Sequence, residues 1–240
     1  SQLPWGGNGN ESELTYGKRT NHEQVDAMNN ITQVFHLKRF KVIGKWPENG
    51  FITKGAGTEI TKPLGVIING DLTAYWHNWQ VELYKQYYHQ SATTESGHSN
   101  LKMPIFPGLG NHDYANNIAR DGQGCWWGNN LEYLSYGANG CAKNATHYIK
   151  SMVNCGGVPN FESNRVTSFD DDSLAYSFDI ANHHFIQLNH HPAYEEKAIG
   201  ISDSFEWLRH DLSKASEAGK YIVINFHDYG DKLKYDDQQF

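Results

Sequence analysis

The stretch Gly108-Leu109-Gly110-Asn111-His112-Asp113-Tyr114, GLGNHDY, follows directly on the short apolar run Met103-Pro104-Ile105-Phe106. A run of that length bounded by turn residues reads as a buried strand, and glycines at its end allow a steep turn that a Cβ would obstruct. An amide, an imidazole and a carboxylate thus arrive in succession at the end of a strand. The same pattern occurs elsewhere. Leu64-Gly65-Val66-Ile67-Ile68 is apolar at nearly every position, as a strand covered on both faces should be, and it ends in Asn69-Gly70-Asp71. Tyr221-Ile222-Val223-Ile224 reads as another buried strand and delivers Asn225-Phe226-His227-Asp228. In open α/β sheets the crevice beyond the carboxyl ends of the strands is where ligands gather. Oxygen and imidazole donors converging there form a plausible divalent metal site.

Between these strands the periodicity changes to that of helices. Val25, Met28, Ile31 and Phe35 recur at spacings of three and four, which predicts a helix from Asn21 to Lys38 with Asn21 as N-cap. Asn78 to Gln90, with Leu83, Tyr84 and Tyr87, predicts a second helix. Leu174 to Ile180 and His184 to Leu188, separated by Ala181-Asn182, predict a hairpin. A helix capped by Ser204 follows, with Phe205, Leu208, Leu212 and Ala215 on its buried face and Gly219 as its left-handed terminator. Alternating strands and helices predict an α/β layered fold. From 115 to 172 the rhythm is lost in Gly, Asn, Trp and Tyr, which predicts an irregular insertion suited to recognition rather than core. No internal repeat, low-complexity tract or linker is visible, so residues 1 to 240 are expected to form a single domain containing that insertion.

Composition limits the functions open to such a fold. A chain of 240 residues can bury a core without disulfide or metal staples. Its net charge of -7 and pI near 6.0 give no general electrostatic footprint for nucleic acid. No apolar run approaches the about 20 residues a membrane-spanning helix needs, and the mean hydropathy of -0.67 agrees. Cys125, Cys141 and Cys155 leave one cysteine unpaired whatever the other two do. They fit either one local disulfide in an exported protein or reduced thiols in a cytosolic one, and the Asn- and Gly-rich composition points to export.

The ordered set Gly70-Asp71, Gly110-Asn111-His112-Asp113 and His227 resembles the calcineurin-like metallophosphoesterase family. That family's motifs run D-x-H, GD, GNH followed by D or E, a strand-end His, then G-H-x-H. The match covers roughly 64 to 113 and 174 to 228. A lone GD would carry nothing; the three motifs in order are specific. D-x-H and G-H-x-H are absent, and both gaps fall at the chain ends. Ser1-Gln2 is expected to be the tail of a D-x-Q variant lying upstream, with G-H-x-H expected beyond Phe240, so that the fold is incomplete at both termini.

The resemblance implies a layered α-β-β-α sandwich and a metal-dependent phosphoester hydrolase. Two divalent or mixed-valence ions (Mn, Fe or Zn) would acidify a bridging water that attacks phosphorus, with one ion as the expectation for this chain alone. Asp71 would bridge the metals, Asn111 and His227 would bind the second, and Gln2 would lie beside the first. Without a metal, Asp71 and Asn111 would be ordinary turn formers. His112 would face the phosphate and protonate the leaving oxygen, and Asp113 would hold the His112 tautomer. His190 and His191 are further candidates, although His-His-Pro also makes a polar turn. Trp126-Trp127 and Tyr133 to Tyr136 read as packing or rim residues of the insertion. The expected substrate is a phosphomonoester or phosphodiester: a small molecule, a lipid head group or a phosphoprotein. The alternative is a catalytically idle binding module on the same scaffold.

Overall fold

The computed structural model describes residues 11–32, 35–37, 40–42, 57–90, 100–118 and 139–228. The fold is mixed α/β. Helix α1 spans Glu11–Asn29 and is followed by a small antiparallel pair, β1 (Phe35–Leu37) and β2 (Phe40–Val42). Strand β3 (Val66–Asn69), helix α2 (Asn78–Tyr88) and strand β4 (Ile105–Gly108) follow one another in a β-α-β unit in which β3 and β4 pair in parallel, Asn69 opposite Gly108. Helix α3 (Gly140–Cys155) precedes a four-stranded sheet ordered β5 (Val166–Phe169), β6 (Tyr176–Ile180), β7 (His183–Gln187) and β8 (Tyr221–Asn225). The first two pairings in that sheet are antiparallel and β7 runs parallel to β8, with helix α4 (Phe205–Glu217) as the crossover.

Alternation along β6 decides how the sheets meet. Phe178 stacks on Phe106 of β4 with ring centroids 3.8 Å apart, and the Tyr176 hydroxyl donates to the Pro107 carbonyl at 2.9 Å. These residues join one continuous core with Tyr84 and Tyr87 of α2 and Ile149 and Met152 of α3. Ser177, between them, points the other way toward α4, where Ala175, Ile186, Leu188 and Leu208 make a second, smaller core. Period two thus lets a single strand serve two layers. Among the described residues no helix is long and apolar enough to cross a membrane.

Four sequence expectations change. Asn21 is not an N-cap but a buried residue in the middle of α1, where its amide donates to Gly17 and its oxygen accepts from the Tyr88 hydroxyl. Residues 35 to 37 are strand, so the helix does not continue to Lys38. The described part of the 115 to 172 insertion is regular: α3 contributes Cys141, Ala142, Ala145, Ile149 and Met152 to the core, and β5 belongs to the sheet. Its apolar spacing was helical, but Gly, Asn and Thr mask that signal because their helix propensity is low. Among the described residues strand β8 is an edge rather than a buried strand, with Tyr221 66% exposed. Ser204 is the N-cap residue of α4, as expected, with its carbonyl accepting from Leu208 N and its hydroxyl donating to the Pro192 carbonyl, and Gly219 adopts the expected left-handed φ of 67°. Cys141 is disulfide-bonded and Cys155 is free and exposed; Cys125, Trp126, Trp127, Tyr133 and Tyr136 lie outside the described residues.

Helix α4 is tied to its sheet by a polar chain as well as by apolar contact. His184 is buried, with Nδ1 2.8 Å from Asp179 and Nε2 2.8 Å from Asp211, and Asp211 also accepts from Ser177 at 3.0 Å. Removing one partner leaves the other polar group buried and unpaired. Asp211→Ala should therefore cost about 3 kcal/mol in urea unfolding. Glu82→Ala, which breaks only the exposed pair with Lys85, should cost under about 0.5 kcal/mol.

Candidate functional site

The parallel register of β3 and β4 brings their carboxyl ends side by side, so Gly70-Asp71 and Gly110 to Asp113 leave the sheet together. Gln187, at the end of β7, donates its amide to the Ile68 carbonyl at 3.3 Å and thereby sets the second sheet against the first. Because β8 runs parallel to β7, the chain after Asn225 then emerges at the same end. The approach is backbone to backbone. Gly70 has φ of 97°, and a Cβ there would lie 2.6 Å from the Gly110 Cα and 2.8 Å from the His227 Nδ1. A Cβ at Gly110 would run into the amide and carboxylate of Asp71, which itself has φ of 52°.

Asp113 closes this junction. Its fully buried carboxylate accepts from Leu72 N at 3.0 Å and Gly110 N at 2.8 Å on one oxygen, and from Thr73 N at 2.8 Å and the Thr73 hydroxyl at 3.1 Å on the other. A carboxylate has about four lone-pair sites, and these donors fill them. Asp113 therefore joins the two motif loops and does not hold the His112 imidazole as the sequence reading expected. Burial pushes its carboxyl up to about 7, opposed by the amides of Gly110, Thr73 and Leu72 and reinforced by the charge of Asp71.

At the opposite side of the junction Asp71, Asn111 and His227 converge, as expected. The His227 Nδ1 lies 2.7 Å from the Asn69 carbonyl oxygen, a group that only accepts, so Nδ1 carries a proton. In the neutral ring Nε2 is then a lone pair. It faces the Asn111 Oδ1 at 3.0 Å and the Asp71 Oδ1 at 3.2 Å. Three electron-rich atoms aimed at one another repel unless a proton or a cation lies among them. The hydrogen bond to Asp71 accordingly raises the His227 pKa above its ordinary 6.5, against the lowering effect of burial. A donated ring N–H on a backbone carbonyl is also how metal-binding imidazoles are oriented.

His112 donates its backbone N–H to Asp71 at 3.2 Å, and its half-buried ring lies edge-on to Tyr75 with centroids 6.3 Å apart. His190 and His191 are buried beside the junction, His190 with its ring 6.3 Å from that of His227. Gln2 lies outside the described residues. The sequence reading missed Thr73 and the Asn69 carbonyl, since neither a lone Thr nor a main-chain oxygen carries a motif. Among the described residues no group of three or more His, Cys, Asp and Glu side chains is arranged to hold a metal ion; the set here reaches three donors by including the Asn111 amide oxygen. Searches against protein-family models, curated proteins and solved structures return no match to this chain.

Replacing Asp113 by Asn would turn an NH2 toward one of the two donor pairs and strand buried N–H groups. Asp113→Asn should lower stability by about 3 kcal/mol, measured by urea unfolding, whereas Thr73→Ser, which keeps the Thr73 N–H and the hydroxyl that accepts from Trp76 N, should cost about 1 kcal/mol.

Proposed function

We propose that the chain is a calcineurin-like metallophosphoesterase domain, built as a layered α-β-β-α sandwich, that hydrolyses a phosphomonoester or phosphodiester. The observation that carries this reading is the convergence of the His227 Nε2, the Asn111 Oδ1 and the Asp71 Oδ1 within 3.2 Å at the carboxyl ends of three strands. An imidazole fixed as acceptor, an amide oxygen and a carboxylate suit Mn, Fe or Zn. Bound there, a divalent ion supplies Lewis acidity toward a phosphoryl oxygen and lowers the pKa of water.

The chain's own residues do the remainder. Asp71 would offset the charge of a bound cation, and its Oδ1 accepts from the His112 backbone N–H, which ties the ligand loop to the residue that follows Asn111. In this reading the His112 imidazole faces the phosphoester and would donate a proton to the leaving oxygen; a positioned acid of this kind contributes about 10²- to 10⁴-fold. Asp113 keeps both loops in register and so acts through position. The substrate in this reading is a phosphoester of a small molecule, a lipid head group or a phosphoprotein, with nucleic acid not favoured by the net charge of -7. The disulfide at Cys141 supports an oxidising, exported location.

The test is cation uptake and turnover of an aryl phosphate and an aryl phosphodiester by the full-length natural protein supplied with Mn, Zn or Fe. His112→Ala should retain the cation and lose about 10²- to 10⁴-fold in turnover; Asp71→Asn and His227→Ala should lose the cation. Absence of cation uptake by the wild-type protein eliminates the reading, and cation uptake with no hydrolysis of either ester leaves the idle binding module in its place. Protons compete for the His227 Nε2, and because Asp71 raises that pKa above 6.5, cation affinity should fall as the pH is lowered through and below neutrality. Titration calorimetry at pH 8 and pH 6, both conditions set by the experimenter at about one unit either side of neutral, reads that sign directly.

A further inference from the structure

Asn189 follows β7 by two residues and has no place in the chemistry described so far. It is fully buried and holds a left-handed φ of 59°. Among residues with a side chain, Asn tolerates that conformation best. Three of its polar groups reach three different segments. The side-chain oxygen accepts from Leu109 N at 3.0 Å, immediately before Gly110-Asn111. The side-chain amide donates to the Leu174 carbonyl at 2.8 Å. The Asn189 carbonyl accepts from His227 N at 2.8 Å, and the neighbouring His190 carbonyl accepts from His227 N at 3.1 Å and Asp228 N at 2.9 Å.

We propose that Asn189 is a positioning residue for the centre, setting the separation of Asn111 and His227 by bonding the backbone of one at Leu109 and of the other at His227 itself. The path between the two ligands through Asn189 is one side-chain bond and one main-chain bond long. It joins segments that the β3–β4 pairing and the β7–β8 pairing bring to the same end but do not fix to each other. The residue type follows from the task. Glycine would keep the turn and lose both side-chain bonds. Aspartate would keep the acceptor for Leu109 and set a charge against the Leu174 carbonyl. Leucine would lose both bonds and strain the turn. The cation part of this inference rests on the proposed function; the geometric part does not.

The experiment compares wild-type protein with Asn189→Gly, Asn189→Asp and Ile186→Val, the last a mild core loss on the α4 side of the sheet. Amide hydrogen exchange is followed at Leu109, His227 and the core residue Phe178, and Co²⁺ binding, kcat and KM are measured on the same samples. In Asn189→Gly, exchange at Leu109 and His227 should quicken while Phe178 stays protected. Its Co²⁺ affinity should fall about 10- to 100-fold, with kcat falling and KM little changed. Asn189→Asp should fall between Asn189→Gly and wild type, and it carries the same comparison if Asn189→Gly fails to fold. Ile186→Val should leave Co²⁺ binding unchanged. Wild-type exchange at Leu109 and His227 in the Asn189 variants overturns the proposal, as does an equal loss of Co²⁺ affinity in Ile186→Val. If wild-type protein takes up no Co²⁺, Mn²⁺ or Zn²⁺, the proposed function falls, and the exchange measurement alone decides whether Asn189 positions His227.

Discussion

Two chain segments that leave neighbouring parallel strands diverge unless something holds them together, and here the holder is the carboxylate of Asp113. It sits with no exposure between the loop after β3 and the loop after β4 and takes hydrogen bonds from Leu72, Thr73 and Gly110. Hydrogen bonds to an ionised acceptor are roughly twice as strong as neutral ones, and a buried carboxylate without them would be costly. The bonds therefore both demand and define one arrangement of the two loops. Asp71 and Asn111 inherit their separation from it.

The glycines in the same loops work on the other side of that constraint. Gly70 and Gly110 permit an approach that any Cβ would block, and the space they leave is where the Asp71 carboxylate and the His227 ring sit. Close approach concentrates lone pairs. A histidine whose Nδ1 proton is committed to the Asn69 carbonyl presents its Nε2 to two oxygens. In a folded protein such a cluster is tolerated when a positive charge is shared among its members, by protonation or by coordination. The electrostatics of the junction and its proposed chemistry are thus one property.

Elsewhere the molecule uses the same device at a site with no access to ligand. His184 bridges Asp179 and Asp211 between the sheet and α4, but there both ring nitrogens lie 2.8 Å from carboxylate oxygens, and the network closes on itself with Ser177 and Lys220. The contrast separates a histidine that ties a helix to its sheet from one that joins three strand ends. Both ring nitrogens of His184 are taken by structural carboxylates, while His227 is oriented by a backbone carbonyl and turns its other nitrogen to the Asn111 and Asp71 side-chain oxygens.

Much of this was legible in the chain itself. Apolar runs ending in Gly-Asp, Gly-Asn-His-Asp and Phe-His identified three strand ends, and local periodicity placed α2, α4 and the β6–β7 hairpin close to where they lie. Those features are local: side-chain period and backbone freedom at glycine act over a few residues, so a few residues suffice to read them. What Asp113 bonds, why Asn21 lies inside a helix, which residues α3 buries and why β8 stays exposed were settled only by tertiary structure. Each depends on partners 40 to 120 positions away or on a strand's rank in its sheet. Hydrogen-bond capacity is a property of the residue, but the donor that fills it is chosen by the register of sheets that no local pattern encodes.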